Sequence, residues 1–335
     1  MRMHNADETC GIAQAAVILG DWWNVLVLRE VARGHVRFDA LAAELGLSRK
    51  VLTERLGRLV AHGVLRRSLY QRRPVRYEYL LTDAGSALLP VLVAMQDWGD
   101  RWVLGNGTLT ATAAEDGAEH ARVHGLVGTR LPDGLDLPGT PGLAPPGTDG
   151  SGVSGVDGSG LPGTDGADLS GTAGSDLPGT DGADLPGTDG SGVPLIPPGT
   201  PATVLFTYPG TGTEWGPVPG AAGCTLENRL FRDAWPDFRR AGVALRGIST
   251  QLPHEQAEFT RAESIPYPLL SDAGHRLAAA LRLPVFHAAG RLRHKRLILI
   301  VDAERTVRHT LFPVADIPRA VGESLRLAEI CASAA

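Results

Sequence analysis

The spacing of apolar residues predicts two helices at the start of the chain. The segments are CGIAQAAVILG and DWWNVLVLREVARG, in which apolar residues recur at helical intervals. Asp21 can cap the second helix and Gly34 can end it. The residues predicted to supply its core are Trp22, Val25, Leu26 and Leu28.

A second helical pair follows, and then a strand pattern. FDALAAELG predicts a short helix, and Gly46 suits the turn after it. Ser48 can cap a helix that runs to about His62 and ends at Gly63. VLRRSLYQ and VRYEYLLT are rich in β-formers and predict a hairpin, with Arg72-Arg73-Pro74 at its tip. Helix, tight turn, helix and hairpin in this order indicate a winged helix-turn-helix.

The helix predicted after the hairpin is apolar on most faces. Thr82 and Asp83 can open it, its sequence is DAGSALLPVLVAMQDWGDRWVLG, and Pro90 would kink it. Such a terminal helix usually packs on a second copy, so we expect a homodimer.

The distribution of charge indicates that the predicted winged helix has a binding surface. Residues 48–77 hold nine Lys and Arg residues and one acid, whereas the whole chain has a net charge of −5. A local basic patch in an acidic protein indicates a partner with a phosphate backbone, here double-stranded DNA. The predicted DNA-binding residues are Arg49, Lys50, Thr53, Arg55 and Arg58 on the second helix of the pair, and Arg72, Arg73 and Arg76 on the hairpin. The alternative for each is an ordinary solvated side chain.

A repeat separates two globular parts. Residues 1–105 form the predicted DNA-binding domain, and 106–136 are small, polar and read as a tether. Residues 137–200 divide into eight octapeptides, such as LPGTDGAD, rich in Gly, Pro and Asp. Such repeats bury too little apolar surface to offset the entropy of ordering, so we expect a disordered spacer. Calcium binding is a minor alternative, because the calcium repeat has nine residues and another Asp placement.

Residues 201–331 alternate between buried strands and helices. TVLFTYP, VALRGIST and RLILIVD are strand patterns, and helical patterns lie between and after them. The alternation predicts a three-layer α/β domain around a central sheet.

The N-terminal third resembles the HxlR-type winged helix regulators. The matching segments are Cys10, ILGDWWNVLVLRE, RFDAL, LSRKVLTERLGRLVAHGVLRR and YEYLLTDAGSALLPVL. The resemblance implies a dimeric transcription factor. It also implies a redox-sensing role for Cys10, although a packing role for this cysteine remains equally open.

Residues 202–328 resemble the peroxiredoxins of the alkyl hydroperoxide reductase/thiol-specific antioxidant group, which have a thioredoxin-like fold. The matching segments include VLFTYP, PGAAGCTLENRLFRD, GIST, PYPLLSD and KRLILIVD. The resemblance implies a peroxidatic Cys224, an Arg296 that holds its thiolate, and hydroperoxide and thiol-reductant partners. The family threonine is ambiguous: Thr213 fits Pro-x-x-x-Thr with Pro209, but Ala221 occupies the position three before the cysteine. HGLVGTRLPDGLDL resembles the family's leading strands, so residues 124–136 can belong to this domain and the repeat can be an insertion in it.

Resolution of an oxidised Cys224 is the open question of this resemblance. The usual resolving position, five residues on, is Arg229. A sulfenic acid would therefore need an external thiol, Cys331, Cys10 or a partner chain. Three functions stay open: a redox-responsive regulator, a thiol peroxidase fused without coupling to a DNA-binding module, and a regulator with an inactive thioredoxin-like domain.

Several classes of site are not indicated. The histidines and the three separated cysteines show no metal-ligand spacing, so we predict no metal and no cofactor. No apolar run reaches the ~18 residues of a membrane span, and MRMHNADETC is unlike a signal peptide. We therefore expect a cytoplasmic protein.

Overall fold

The N-terminal part is a helix-turn-helix with a β-hairpin wing. The computed structural model describes residues 9–103, 117–140, 142, 192–213, 218 and 220–334. The elements of this part are α1 (Gly11–Leu19), α2 (Trp22–Ala32), α3 (Phe38–Leu45), α4 (Arg49–Ala61), β1 (Leu65–Arg72), β2 (Val75–Leu81), α5 (Asp83–Ser86) and α6 (Leu89–Trp102).

Side-chain caps and glycines set the helix boundaries. The Asp21 carboxylate accepts a hydrogen bond from Trp23 N (3.0 Å), and the Ser48 hydroxyl accepts one from Val51 N (3.4 Å). Gly46 ends α3 with a φ of 62°, a conformation that most other residues avoid. The turn between α3 and α4 is therefore short and fixed, as the sequence predicted.

The winged helix has a core of its own between α2, α3, α4 and the hairpin. Its fully buried side chains are Val27, Leu28, Leu41, Leu52, Leu56 and Leu59. The prediction that Trp22 lies in this core is wrong: it is 62% exposed and packs against Trp23. The helical spacing was correct, but the side of the helix that faces the core carries Val27 and Val31 and not Trp22.

Pro90 lies in the first turn of α6, after a break that follows α5, and so does not kink a continuous helix.

The C-terminal part is built on one six-stranded sheet. Its elements are α7 (Ala118–His124), β3 (Asp136–Leu137), β4 (Gly139–Thr140), β5 (Val193–Pro194), β6 (Ala202–Thr207), α8 (Cys224–Arg240), β7 (Val243–Ser249), α9 (Pro253–Glu263), β8 (Leu269–Ser271), α10 (Arg276–Leu281), β9 (Val285–Ala288), β10 (Arg291–His294), β11 (Leu297–Asp302), β12 (Val307–Leu311) and α11 (Ile317–Ser333). The strand order is β12-β11-β6-β7-β8-β4. The β6-β7 and β7-β8 pairs are parallel, and the other pairs are antiparallel.

Apolar side chains on the two faces of this sheet form two cores. Leu205, Leu297 and Leu299 pack with residues of α7 and α10 on one face. Val204 and Phe206 pack with residues of α8 and α11 on the other. Alternate residues of β6 and β11 thus enter opposite cores, which gives the predicted three-layer α/β arrangement.

The two ends of the repeat belong to this domain. β3 pairs with β5 across the repeat (Asp136↔Pro194 and Leu137↔Val193), and β4 extends the sheet beside β8. Leu137, Leu195 and Ile196 are buried, so the first and last octapeptides contribute to the core. The central part of the predicted disordered spacer lies outside the described residues.

The predicted tether contains a helix that packs on the domain. α7 covers Ala118–His124, and its Glu119 and Val123 are buried. Expecting this described part to be a featureless tether was wrong, because average composition hides a single short helix that buries only two side chains. The segment instead lies between the winged helix and the sheet.

The winged helix and the α/β part meet at α10 and lie in one compact unit. Leu89 and Val93 of α6 pack with Ala278, Ala279 and Val285. Gln96 donates hydrogen bonds to the carbonyls of Arg282 (3.3 Å) and Leu283 (3.2 Å). α6 is therefore fixed to the helix α10 and the residues that follow it.

Among the described helices, no single one has the length and apolarity to cross a membrane. Only α1 and α2 taken together meet that criterion, and they are bent by 78° at their junction.

Candidate thiol site and nucleic-acid interface

Cys224 is the first residue of α8, and the residue before it, Gly223, has a backbone conformation that only glycine adopts without strain. Gly223 has a φ of 101°, and a Cβ there would lie 2.9 Å from Ile317 of α11. The chain can thus turn tightly and present the sulfur at a helix N-terminus, where backbone N–H groups favour negative charge.

Arg296 holds this sulfur in place. Its Nη2 donates to Cys224 Sγ (3.3 Å) and to the Ala222 carbonyl (3.2 Å), and its Nη1 donates to the Gly220 carbonyl (2.9 Å). Its Nε donates to the buried carboxylate of Glu227 (2.7 Å). The guanidinium is therefore fixed by four contacts, and the structure brings together the predicted pair Cys224 and Arg296.

The charges around the thiol oppose one another. Burial raises the pKa of Cys224 to about 11, while Arg296 lowers it and the Glu227 carboxylate raises it. Burial also raises the pKa of Glu227 to about 7, with Arg296 opposing that rise. Burial therefore favours the neutral thiol and Arg296 favours the thiolate, and the charge on Glu227 influences how readily the thiol ionises.

A small opening leads to the sulfur. It has a volume of about 320 Å³, and it is lined by Gly210, Gly212, Thr213, Ala222, Gly223, Cys224 and Thr225. Thr213, predicted to be catalytic, lines the opening, and its hydroxyl donates to the Thr211 carbonyl (3.4 Å). Ala221 is fully buried and offers no hydroxyl. Thr213 is therefore the candidate for contacting a peroxide.

Neither of the other two cysteines lines this opening. Cys331 is near the end of α11, fourteen residues after Ile317, so helix geometry separates them by about 21 Å. Because Ile317 adjoins Gly223, Cys331 is too far from Cys224 for a disulfide, which needs Cα atoms roughly 6 Å apart. Cys10 is exposed before α1, and Arg229, at the usual resolving position, pairs with Glu263 (2.7 Å). An external or partner thiol fits this arrangement best.

Lys295 points away from the thiol, toward the predicted tether. Its Nζ donates to Glu119 of α7 (2.7 Å), and both side chains are almost completely buried. Burial raises the pKa of Glu119, and Lys295 opposes that rise. Sequence reasoning missed this pair, because its members are 176 residues apart.

The next turn of α7 connects to the winged helix. Arg122 donates two hydrogen bonds to the Asp100 carboxylate of α6 (3.0 and 2.7 Å) and one to the Arg282 carbonyl (3.0 Å). A bidentate, largely buried pair fixes geometry well. A continuous path of contacts thus runs from Cys224 through 295–296 and α7 to α6.

The predicted DNA-binding residues lie on two neighbouring elements. Arg49, Lys50, Thr53 and Arg58 are exposed on α4, and the Arg49 side chain is 80% exposed. Arg72, Arg73 and Arg76 are exposed at the tip of the hairpin. The arrangement is that of a recognition helix with a basic wing beside it.

Residues 18–106 match the HxlR-like helix-turn-helix family, and residues 199–310 match the AhpC/TSA family. The HTH-type transcriptional regulator YvaP of Bacillus subtilis is 40% identical over 101 residues, which cover 30% of this chain and 94% of YvaP. The chain belongs to the HxlR-like helix-turn-helix family.

Further comparisons extend over parts of the chain. An HTH-type regulator of Mycobacterium tuberculosis is 39% identical over 92 residues, 28% of this chain; the match spans 58% of that relative's length. The crystal structure of peroxidoxin BcpB from Mycobacterium tuberculosis is 28% identical, covers 39% of this chain and 80% of BcpB, and has a TM-score of 0.34. After the helix-turn-helix, residues 199–310 are similar to the AhpC/TSA family, whose model they match.

Two features of this HxlR-like surface were not predicted. Asp39 of α3 lies 3.5 Å from Arg49 and 3.7 Å from Arg76, so one carboxylate bridges the recognition helix and the wing. Arg55, predicted to bind DNA, is only 17% exposed and pairs with the capping Asp21 (2.9 Å). Its geometry suits fixing α4 against α2 better than contacting a phosphate.

One group of possible metal ligands occurs among the described residues. Ligand atoms of Glu30, His35 and Glu44 lie within 4.8 Å of one another. Arg29 and Arg33 already hold the two oxygens of Glu30 (2.6 and 2.7 Å). Because two guanidinium groups would repel a metal cation here, we assign no metal to this group.

Proposed function

We propose that this protein is a DNA-binding transcriptional regulator whose affinity for its operator changes when Cys224 is oxidised. The observation that carries the proposal is the position of Lys295 and Arg296. These consecutive residues contact α7 on one side and the Cys224 sulfur on the other. A regulator of this kind works where the DNA is, which fits the predicted cytoplasmic location.

DNA binding follows from the basic surface. α4 would enter the major groove with Arg49, Lys50, Thr53 and Arg58, and the wing arginines would contact phosphates. The salt dependence of binding would then report the number of phosphates that the wing neutralises.

A homodimer would present two such surfaces. α6 carries an exposed apolar stripe of Val91, Met95, Trp98 and Trp102, and α1 exposes Ile12 and Val17. A second copy is the partner that a two-fold operator requires. We propose that α1 and α6 form this dimer interface.

The chemistry would begin at Cys224. Its thiolate attacks one oxygen of a hydroperoxide; the O–O bond breaks, an S–O bond forms, and the alcohol leaves with a proton. The cysteine is oxidised to a sulfenic acid and the peroxide is reduced. An external thiol then forms a mixed disulfide and releases water, and a second thiol restores Cys224.

Oxidation would reach the winged helix through Arg296. The sulfenic oxygen adds an atom where Nη2 now donates to sulfur, so Arg296 must shift or exchange partners. Because Lys295 is bonded directly to Arg296, a shift of Arg296 would also move Lys295 and its contact with Glu119. The ion pair between Arg122 of α7 and Asp100 of α6 would then shift as well. The α6 helices of a dimer set the spacing of the two recognition helices, so operator affinity would change.

The test uses DNA selected from a random library by the reduced full-length protein. Affinity for this DNA is measured before and after hydrogen peroxide for the wild type, Cys224→Ser and Cys10→Ser. We expect oxidant to change the affinity of the wild type and Cys10→Ser, and not of Cys224→Ser. A response that is the same in wild type and Cys224→Ser would contradict the proposal.

Two observations favour a second candidate, a regulator with a catalytically inactive domain. The pKa of Cys224 is raised to about 11, and Ala221 stands where the family pattern has threonine. Failure to trap a sulfenic acid at Cys224 would support this candidate. Rapid thiol-dependent peroxide turnover, with DNA binding indifferent to oxidant, would instead indicate an uncoupled thiol peroxidase.

A further inference from the structure

A cavity of about 310 Å³ lies at the junction of α2, α6 and α10, apart from the Cys224 opening. Its apolar lining comes from Val25, Ala32, Leu92, Val93, Met95, Val103 and Ala279. Among the described residues, its polar lining consists of Arg29, Gln96, Asp100 and Arg282, and Gly99 also lines it. Apolar walls with a few charged groups are typical of sites for small organic ligands.

The arginines at this cavity differ in their partners. Arg29 and Arg33 share the single carboxylate of Glu30, and Arg122 pairs with Asp100. Within the described ranges Arg282 has no carboxylate oxygen within 4.0 Å; its Nε donates to the amide oxygen of Gln96 (3.4 Å). Burial lowers the pKa of Arg282, the nearby Arg122, Arg29 and Arg33 lower it further, and Asp100 opposes them. Of these four described arginines, Arg282 is the one without a carboxylate partner, so its guanidinium can bind an anion.

We propose that this cavity binds a small organic acid, with its carboxylate on Arg282 and its apolar body between α2, α6 and α10. The guanidinium fork suits a carboxylate, to which it can donate two parallel hydrogen bonds. The anion would neutralise the positive charge of Arg282. The apolar body would displace water from Leu92, Val93 and Ala279.

This site lies beside the proposed dimer interface and shares Met95 with it. On α6 the cavity residues Leu92, Gln96, Gly99 and Val103 follow one another at intervals of three or four and share a face. The exposed stripe of Val91, Trp98 and Trp102 lies roughly 120° around the helix, since each residue advances by ~100°. Met95 lies at the edge between the two faces. A ligand here would bind both domains and so fix the α6–α10 contact.

The probe is octanoate, added to the full-length reduced protein and followed by isothermal titration calorimetry without DNA or peroxide. Octanol and octylamine serve as controls, because they share the chain and lack the carboxylate. We expect octanoate to bind at least ~10-fold more tightly than either control, the difference of a charge-assisted hydrogen-bond pair. Failure here leaves the DNA and peroxide experiments unaffected, so the two proposals fail separately.

Two variants locate the site. Arg282→Gln should weaken octanoate binding at least ~10-fold, because it removes the charge and keeps a polar side chain. Gly99→Leu should abolish binding: a Cβ at Gly99 meets no atom within 4 Å, so the new side chain fills the cavity without forcing the backbone. Arg326→Gln, at an exposed arginine of α11, is the matched control and should bind as the wild type does.

Thermal unfolding and circular dichroism establish that each variant is folded. If Arg282→Gln is unfolded, the test rests on Gly99→Leu. This variant should fold, because leucine has a higher helix propensity than glycine. Binding that survives Gly99→Leu would overturn the proposal. So would octylamine binding as tightly as octanoate, or no octanoate binding at about millimolar concentration, a weak limit for ligands of this size.

Discussion

Lys295 and Glu119 form an ion pair with 2.7 Å between Nζ and the carboxylate oxygen, and both side chains are almost completely buried. Removal of one partner would leave the other charge buried and unpaired. We expect Lys295→Met to lower the free energy of unfolding by roughly 3–5 kcal/mol. Lys295→Met combined with Glu119→Leu should regain most of that loss. Urea unfolding measures the free energy of unfolding of both variants. If Lys295→Met lowers it by no more than the loss of an exposed ion pair would, the expectation is wrong.

The same double variant tests transmission from the thiol. It leaves Cys224, Arg296 and the DNA-binding face intact but removes the polar contact between 295 and α7. We expect peroxide to oxidise Cys224 as in the wild type, and operator affinity to respond much less. Mass spectrometry measures the oxidation and fluorescence anisotropy the affinity. A full response in the double variant would show that another route exists.

Glu227 should control ionisation of the thiol. Its negative charge raises the pKa of Cys224, so Glu227→Gln should shift the pH midpoint of Cys224 alkylation below that of the wild type, whose Cys224 pKa is raised to about 11. Arg296→Gln should shift it in the opposite direction, since the guanidinium favours the thiolate. The matched control is Arg229→Gln on the exposed face of α8, whose midpoint should be unchanged. Equal midpoints in all four proteins would contradict the electrostatic account.

The wing should contribute to DNA affinity without regard to sequence, whereas the recognition helix should also contribute to sequence preference. Arg72→Ala should weaken binding to all DNA sequences alike and reduce the salt slope by about one unit. Arg49→Ala should also relax sequence preference, at a cost of roughly 1–3 kcal/mol. Asp39→Asn should strengthen DNA binding at low salt, because it removes the carboxylate that lies beside Arg49 and Arg76. Anisotropy titrations at several salt concentrations separate these effects.

Arg55 should behave unlike its neighbours on α4. Its pairing with Asp21 joins α4 to the start of α2. We expect Arg55→Gln to lower the free energy of unfolding, and Arg58→Gln to lower only DNA affinity. Urea unfolding beside a DNA titration for both variants distinguishes the roles. A stable Arg55→Gln protein with weakened DNA binding would return Arg55 to the DNA-binding set.

Local signals explain what the sequence predicted correctly. Asp21, Ser48 and Thr82 each accept a hydrogen bond at a helix start, and each lies a few residues from the group that it caps. β6 and β11 of the C-terminal sheet are nearly continuous apolar runs, a pattern that predicts a buried strand from local sequence alone. The winged helix and the α/β domain were predictable for this reason.

Contacts between distant segments explain what was missed. α7 buries two side chains among polar neighbours, so its composition resembles a linker. The partners of Lys295 and Arg122 lie 176 and 22 residues away, and no spacing rule relates them. Trp22 was assigned inward because helical spacing gives a period but leaves the phase to tertiary packing. The thiol site was found through a local motif, and its connection to α6 was not.

The pairing of β3 with β5 means that the octapeptides leave and re-enter the domain at adjacent points. Closing a chain of twice the length costs only about 0.6 kcal/mol more. Gain or loss of octad copies would therefore change the free energy of folding very little. Natural isolates should tolerate alleles of many lengths at this position, while single-residue insertions beside Leu137 or Val193 would break the β3–β5 register.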